Sequence, residues 1–124
     1  MNNRELVYKI VSLIPKGKVL TYAALAKLAG VKSPRLVGKI LHQNKDPKNI
    51  PCHRVVNSRG EAATNYAFGG AGDQLKKLRA ERIETIKSRV NLTKHLWQPI
   101  NCLSSYFKLL RNYSEPGLLS GKEN

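Results

Sequence analysis

Apolar residues recur at helical spacing over residues 4–14, where Leu6, Val7, Ile10, Val11 and Ile14 fall on one face. Asn2 or Asn3 is placed to cap the start, and Pro15-Lys16-Gly17-Lys18 breaks the pattern. Val19-Leu20 leads into Thr21, a good N-cap for a helix over 22–29, with Gly30 as its C-terminal stop. Ser33 caps a second short helix over 34–43. Pro34 sits in its first turn, where a missing N–H costs nothing, and Leu36, Val37, Ile40 and Leu41 form its apolar face. Two short helices joined by Gly30-Val31-Lys32 read as a helix-turn-helix.

Further on the pattern loosens. Turn formers fill 44–49, which predicts a loop. Residues 52–57 and 61–64 flank Ser58-Arg59-Gly60 and predict a small β-hairpin. Gly69-Gly70-Ala71-Gly72 predicts a flexible or tightly turning loop. Asp73 then caps a helix over 74–86, with Leu75, Leu78, Arg79 and Arg82 along one side. Ile100, Leu103, Phe107 and Leu110 share helical spacing again, while Pro116-Gly117 and residues 120–124 read as frayed. The expectation is an α+β, mostly helical fold with a helix-turn-helix and a small hairpin beside the loop that carries Cys52.

Composition narrows the function. A chain of 124 residues makes one compact domain of ordinary size. Lys and Arg outnumber Asp and Glu 22 to 8, a net charge of +14, and residues 1–87 hold 17 of the basic and 6 of the acidic side chains. The excess therefore lies with the helix-turn-helix and favours a polyanionic partner, nucleic acid first. A membrane surface or an acidic protein would answer to the same field. Cys52 and Cys102 are far apart with no CxxC spacing, which argues against a disulfide scaffold and a structural zinc site. No apolar stretch approaches the roughly 20 residues that cross a bilayer. The polar start Met1-Asn2-Asn3-Arg4-Glu5 lacks the apolar core of a secretory signal, so a cytoplasmic setting with free thiols is expected, nuclear or nucleoid-associated if DNA is so compartmented.

The chemically informative stretch is Ile50-Pro51-Cys52-His53-Arg54-Val55-Val56. A cysteine reacts as its thiolate, so it needs a base nearby and a positive field. His53 supplies the base and Arg54 the charge. In an extended segment neighbouring side chains point to opposite faces, so His53 reaches Cys52 only through a water or a local kink. A Cys-His pair alone reads more simply as a buried structural cysteine beside a surface histidine.

The wider pattern decides between these readings. Residues 50–56 resemble the active-site signature of the O6-alkylguanine-DNA alkyltransferases, the methylated-DNA–protein-cysteine S-methyltransferases. The resemblance extends to Ile14-Pro15-Lys16-Gly17-Lys18-Val19-Leu20-Thr21-Tyr22, to Arg35-Leu36-Val37-Gly38, to Asn44, to Asn65-Tyr66 with Gly69-Gly70, and to Glu81. It covers residues 4–86 and implies a winged-helix-like domain over 1–87. Residues 88–124 match no part of the family pattern and read, from their own spacing, as a C-terminal extension with one amphipathic helix and then a frayed end.

By that resemblance Cys52 is the alkyl acceptor and His53 the base that takes its proton through a water. Glu81 orients His53 and stabilises its imidazolium, as the third member of a triad does. Asn44 braces the turn before the active-site loop. Tyr22 protonates or hydrogen-bonds the departing guanine and helps rotate the nucleotide. Arg35 fills the gap that a flipped base leaves. Backbone groups at Cys52 and Val55, with Tyr66 and Ala67, line the base pocket. The implied partner is double-stranded DNA containing O6-alkylguanine, met in the minor groove by a monomer. The implied transfer is stoichiometric, with no cofactor and no membrane.

Taken singly, Tyr22 also reads as a core aromatic, Arg35 as a solvated helix residue and Glu81 as half of a surface ion pair. Two other functions fit parts of the pattern. Some relatives are lesion sensors without transfer, but they carry another residue in place of the cysteine. A helix-turn-helix regulator with a structural Cys52 would need a dimer.

There are departures from the family. Most members carry an N-terminal domain ahead of the helix that begins here near Arg4, and a metal site found in some lies there, so no metal is expected. Leu36 and Ile40 stand where the family usually has small residues, so either helix insertion is shallower or these side chains face the core. The loop after Asn65 is one residue longer, and Ala67 offers no hydroxyl to the guanine O6, which shifts the expected alkyl preference. The Ile100, Leu103, Phe107 and Leu110 stripe either packs over core surface that the N-terminal domain covers in other members, or belongs to a disordered tail or a partner-binding helix.

Overall fold

A computed structural model describes residues 1–63, 66–99 and 101–112, with the side chains of Asn101 and Cys102 excepted. The expectations for Thr64, Asn65, Ile100, the Cys102 thiol and the chain end after residue 112 lie outside the described residues.

Helix α1 (Asn3–Leu13) opens with a capping box: Asn2 accepts from the Glu5 N–H, and the Asn2 N–H donates to the Glu5 carboxylate. Leu6, Val7, Ile10 and Val11 face inward. After strand β1 (Leu20–Thr21), the Thr21 hydroxyl caps α2 (Tyr22–Ala29) by accepting from the Ala24 N–H at 3.1 Å. Gly30 ends α2 in the left-handed region, at φ 71°. Ser33 caps α3 (Pro34–His42), accepting from the Leu36 N–H at 3.3 Å. The buried faces of α1, α2 and α3 meet Leu20, Val55 and Phe107 in the main core.

The middle of the chain departs from expectation. Residues 52–54 form a 3₁₀ turn rather than an extended strand, and β2 (Val55–Val56) pairs in parallel with β1 instead of turning back on residues 61–64. The turn at 58–60 remains, closed by the Asn57 N–H on the Glu61 carbonyl at 3.0 Å and the Gly60 N–H on Asn57 at 2.9 Å. The ladder expected there lies instead in a hairpin of β3 (Thr85–Ile86) and β4 (Arg89–Val90).

Helix α4 (Gly70–Ala80) starts four residues earlier and ends six residues sooner than the sequence suggests. Gly69, at φ 116°, sits at the N-cap where Asp73 was expected, and a Cβ there would collide with the Asp73 carboxylate. Asp73 lies in the first turn instead, where its charge suits the helix dipole. Arg82, left-handed at φ 64°, turns the chain away at the other end.

Beyond residue 87 the chain is still part of the packed body. His95 is buried, with Nε2 accepting from the Glu84 N–H at 2.9 Å and Nδ1 3.1 Å from the Gly17 carbonyl. Leu96 bridges Val19 in parallel, beside β1. After the short α5 (Leu92–His95), α6 (Asn101–Arg111) buries Phe107 completely and packs Leu103 and Leu110 against the main core. Its Arg111 donates to the Lys27 carbonyl at the end of α2. A second apolar cluster joins Val19, Val56, Leu78, Ile83 and Val90. None of the described helices is long and apolar enough to cross a membrane.

Candidate active site

Pro51 cannot donate a backbone hydrogen bond, and the chain winds into the 3₁₀ turn after it, placing Cys52 in a buried position. Asn44 fixes the approach to this turn. Its Nδ2 donates to the Ile50 carbonyl at 2.9 Å, and its Oδ1 accepts from the Asp46 N–H at 2.9 Å. Burial pushes the Cys52 thiol above its ordinary pKa, and the Asn44 amide and the Lys77 ammonium only partly offset this. At neutral pH Cys52 is a thiol, so its use as a nucleophile requires removal of a proton.

Behind the thiol lies a charged cluster. His53 Nε2 is 3.0 Å from Glu81 Oε2, a close contact in which its ring N–H is misaligned for a hydrogen bond. Burial holds the imidazole below its ordinary pKa, against the opposing pull of Glu81. His53 is therefore neutral at pH 7 and able to accept a proton. Glu81 is also gripped by Arg54, whose Nε and Nη2 donate to its two oxygens at 2.9 and 2.6 Å. Burial alone would raise the Glu81 pKa, but Arg54 and His53 outweigh it and hold the carboxylate below its usual range. Arg54 also donates to the Ile14 carbonyl at 2.8 Å. Its guanidinium, expected to activate the cysteine, thus serves to fix Glu81. Among the described residues no hydrogen bond joins Cys52 to His53.

Cys52 opens onto a cavity of about 970 Å³ whose lining includes Tyr22, Arg35, Gly38, Tyr66 and Ala67. Tyr22 is the first residue of α2, and burial, with the nearby Cys52, pushes its pKa up to about 12. It is a phenol at every physiological pH. Arg35 is exposed in the first turn of α3. Tyr66 is buried, stacks edge-on with Phe68, and its hydroxyl accepts from Lys77 at 2.9 Å. Val55 does not line the cavity. Its side chain is in the core, its N–H donates to the Cys52 carbonyl, and its own carbonyl accepts from Gln74. Ile40 turns into the core, whereas Leu36 is 40 % exposed on the outer face of α3. The two bulky residues of that helix thus divide between the two expected fates.

Gln74 was not singled out from the sequence, and it is fully buried. Its Nε2 donates to the carbonyls of His53 at 3.0 Å and Val55 at 2.8 Å, and its Oε1 accepts from the Ala63 N–H at 2.9 Å. The available signal was a polar residue four positions before Leu78, on the face of α4 that packs inward. Lys77 was also missed. It lies over the Tyr66 and Phe68 rings, 5.2 and 5.4 Å from their centroids. Among the described residues no group of three or more His, Cys, Asp or Glu could hold a metal ion.

Residues 2–83 match the DNA-binding domain of 6-O-methylguanine DNA methyltransferase. A bifunctional methyltransferase/endonuclease of Picrophilus torridus is 33 % identical over 116 residues, covering 93 % of this chain and 37 % of its own length. That coverage reaches past residue 87, into the segment for which the sequence suggested no family counterpart. The human methylated-DNA–protein-cysteine methyltransferase is 43 % identical over 67 residues, 53 % of this chain and 32 % of its own. The chain thus spans about a third of these two relatives. Among solved structures, Schizosaccharomyces pombe Atl1 in complex with damaged DNA containing O6-carboxymethylguanine superposes with a TM-score of 0.70 at 31 % identity. It covers 78 % of this chain and 95 % of that one.

Proposed function

The chain belongs to the 6-O-methylguanine DNA methyltransferase family through its DNA-binding domain, and within it we propose a DNA repair protein that flips O6-alkylguanine from a duplex and takes the alkyl group onto Cys52. The observation that carries this reading is the placement of Cys52. It lines a cavity also lined by Tyr22 and Tyr66, and it directly precedes a neutral His53 that contacts a charged Glu81.

A carbon inside a duplex is out of reach, so the base leaves the stack at a cost of a few kcal/mol. Phosphate contacts from the basic surface offset this cost, and Arg35 fills the vacated space as α3 lies in the minor groove. His53 takes the Cys52 proton through a water. The Sγ electron pair forms a bond to the alkyl carbon, the carbon–O6 bond breaks, and its electrons leave with the guanine. Tyr22, still carrying its proton, donates to the departing base. The product is a thioether with no easy exit, so each molecule acts once.

A second reading, lesion sensing without transfer, is favoured by one observation: this domain corresponds to nearly the whole of the S. pombe Atl1 chain. Intact-protein mass spectrometry after mixing with an O6-methylguanine duplex separates the two. One added methyl mass, absent in Cys52→Ser, is the expected result. Tight lesion-selective binding without a mass change would establish the sensor reading instead.

A further inference from the structure

Next to the Cys52 cavity lies a second one of about 740 Å³, which the proposed chemistry does not use. The two share Glu61 in their walls, and Ser58 of the first adjoins Arg59 of the second. The second cavity is walled by the turn at 58–60 and by the β3–β4 hairpin, contributing Arg59, Lys87 and Arg89 against one carboxylate, Glu61. Glu61 is already engaged, by Asn57 Nδ2 at 2.8 Å and Arg89 at 3.3 Å. Among the described residues Arg59 and Lys87 form no salt bridge, although the Arg59 charge helps lower the Glu61 pKa, after Asn57 and Arg89.

The two turns are locked together. Val90 donates to the Gly60 carbonyl at 2.9 Å, Glu61 bridges Arg89, and a Cβ on Gly60 would sit 2.5 Å from the Val90 oxygen. The hairpin tip is also costly in local terms. Lys87 and Ser88 both adopt left-handed backbone, at φ 53° and 64°, where Asn-Gly would sit without strain. That conformation keeps a lysine at the tip of the hairpin, beside the 59 % exposed Ile86.

We infer that the 58–60 turn and the β3–β4 hairpin form a second phosphate-binding surface. Arg59, Lys87 and Arg89 would hold the backbone of the same duplex beside the flipped nucleotide. This rests on the proposed DNA-repair reading: a strand that delivers a base to the Cys52 cavity would meet the second cavity across their shared wall at Glu61. The chemistry recognised is the phosphodiester backbone, with no base readout required.

The test is fluorescence anisotropy with an O6-methylguanine duplex across a salt series, alongside methyl uptake at saturating duplex. Arg59→Gln/Lys87→Gln is expected to reduce the slope of log affinity against log salt by about 2, at about 0.9 per phosphate contact. Affinity should fall at least tenfold at physiological salt while saturated methyl uptake is unchanged. Lys108→Gln, on α6 and lining neither cavity, should leave affinity nearly unchanged. An unchanged slope in the double variant overturns the surface, as does an equal loss in Lys108→Gln. Wild-type protein that binds without methyl uptake sinks the transfer reading alone, because the slope comparison still decides the surface.

Discussion

Between Thr21 and His42, the side chains that start the helices act within three residues, Thr21 on Ala24 and Ser33 on Leu36. Among the described residues only Tyr8 and Arg111 reach in from afar, to the Ile40 and Lys27 carbonyls. Around Cys52 the partners are remote. Arg54 bonds Ile14 and Glu81, 40 and 27 residues away, and Gln74 bonds His53 and Val55, 21 and 19 residues away. The helix-turn-helix is thus a locally specified platform whose outer face is left free for contact. The site is a buried polar network that exists only once distant segments have met. Binding and chemistry therefore have separate physical supports, and substitutions should divide them.

The sharpest division is expected at Gln74. Gln74→Leu preserves bulk but leaves two carbonyls and the Ala63 N–H without the partner they have now. At 1–3 kcal/mol for each buried unsatisfied group, the cost is about 4 kcal/mol. Arg35→Ala, in the other region, should change stability by no more than about 0.5 kcal/mol while weakening duplex binding. Urea denaturation of both variants checks this. A cost below about 1 kcal/mol for Gln74→Leu would show that the clamp does not hold the site.

Glu81 comes next. Removing one partner of a buried ion pair costs roughly 3–5 kcal/mol, and the slight exposure of this one reduces the figure to about 2 kcal/mol for Glu81→Gln at pH 7. The folded-state pKa of Glu81 is depressed, so its stabilisation is fully present above the ordinary carboxylate range and disappears as pH falls through the folded value. The gap between wild type and variant should stay constant from pH 7 to about 5 and close below that. His53 is shifted down as well, so wild-type methyl uptake should be level near neutrality and fall only in acid, below about pH 6.5. A gap that persists unchanged to pH 3 would remove the charge from the account of Glu81.

The same contrast explains what was legible in the sequence. Caps, a helix-breaking Gly30 and apolar spacing are local signals, and α1, α2 and α3 follow them closely. The identity of Cys52, His53, Asn44, Tyr22 and Glu81 as candidates was visible through the resemblance, because each stands in a recognisable motif. Their supports were not. Arg54 read as a charge for the thiol, but its guanidinium geometry matches a carboxylate 27 residues on. The expected hairpin at 52–64 failed because Val55-Val56 found a parallel partner in Leu20-Thr21, a pairing that no local pattern announces. The hairpin at 85–90 was hidden because its first strand overlaps the end of the helix expected over 74–86, and Lys87-Ser88 lacks the Asn-Gly or Asp-Gly pair that marks a two-residue hairpin turn. The Phe107 stripe did show its period, but which surface it would cover depended on the assembled core.

The smallest expected effect tests the local side of the comparison. Ser33→Ala removes the side-chain acceptor for the Leu36 N–H at the start of α3, a loss of about 1 kcal/mol for an N-cap. The first turn of α3 carries Arg35, so its fraying should also weaken duplex binding, by about threefold or less. Nothing in the Cys52 network depends on that cap: Asn44, Arg54, Gln74 and Glu81 take none of their hydrogen bonds from residues 33–36. Thermal melting should therefore drop by a few degrees while methyl uptake at saturating duplex keeps its wild-type rate. If saturated uptake slows as much as it does in Glu81→Gln, the platform and the site are one cooperative unit, and local specification of the helix-turn-helix does not make its binding role separable from the chemistry.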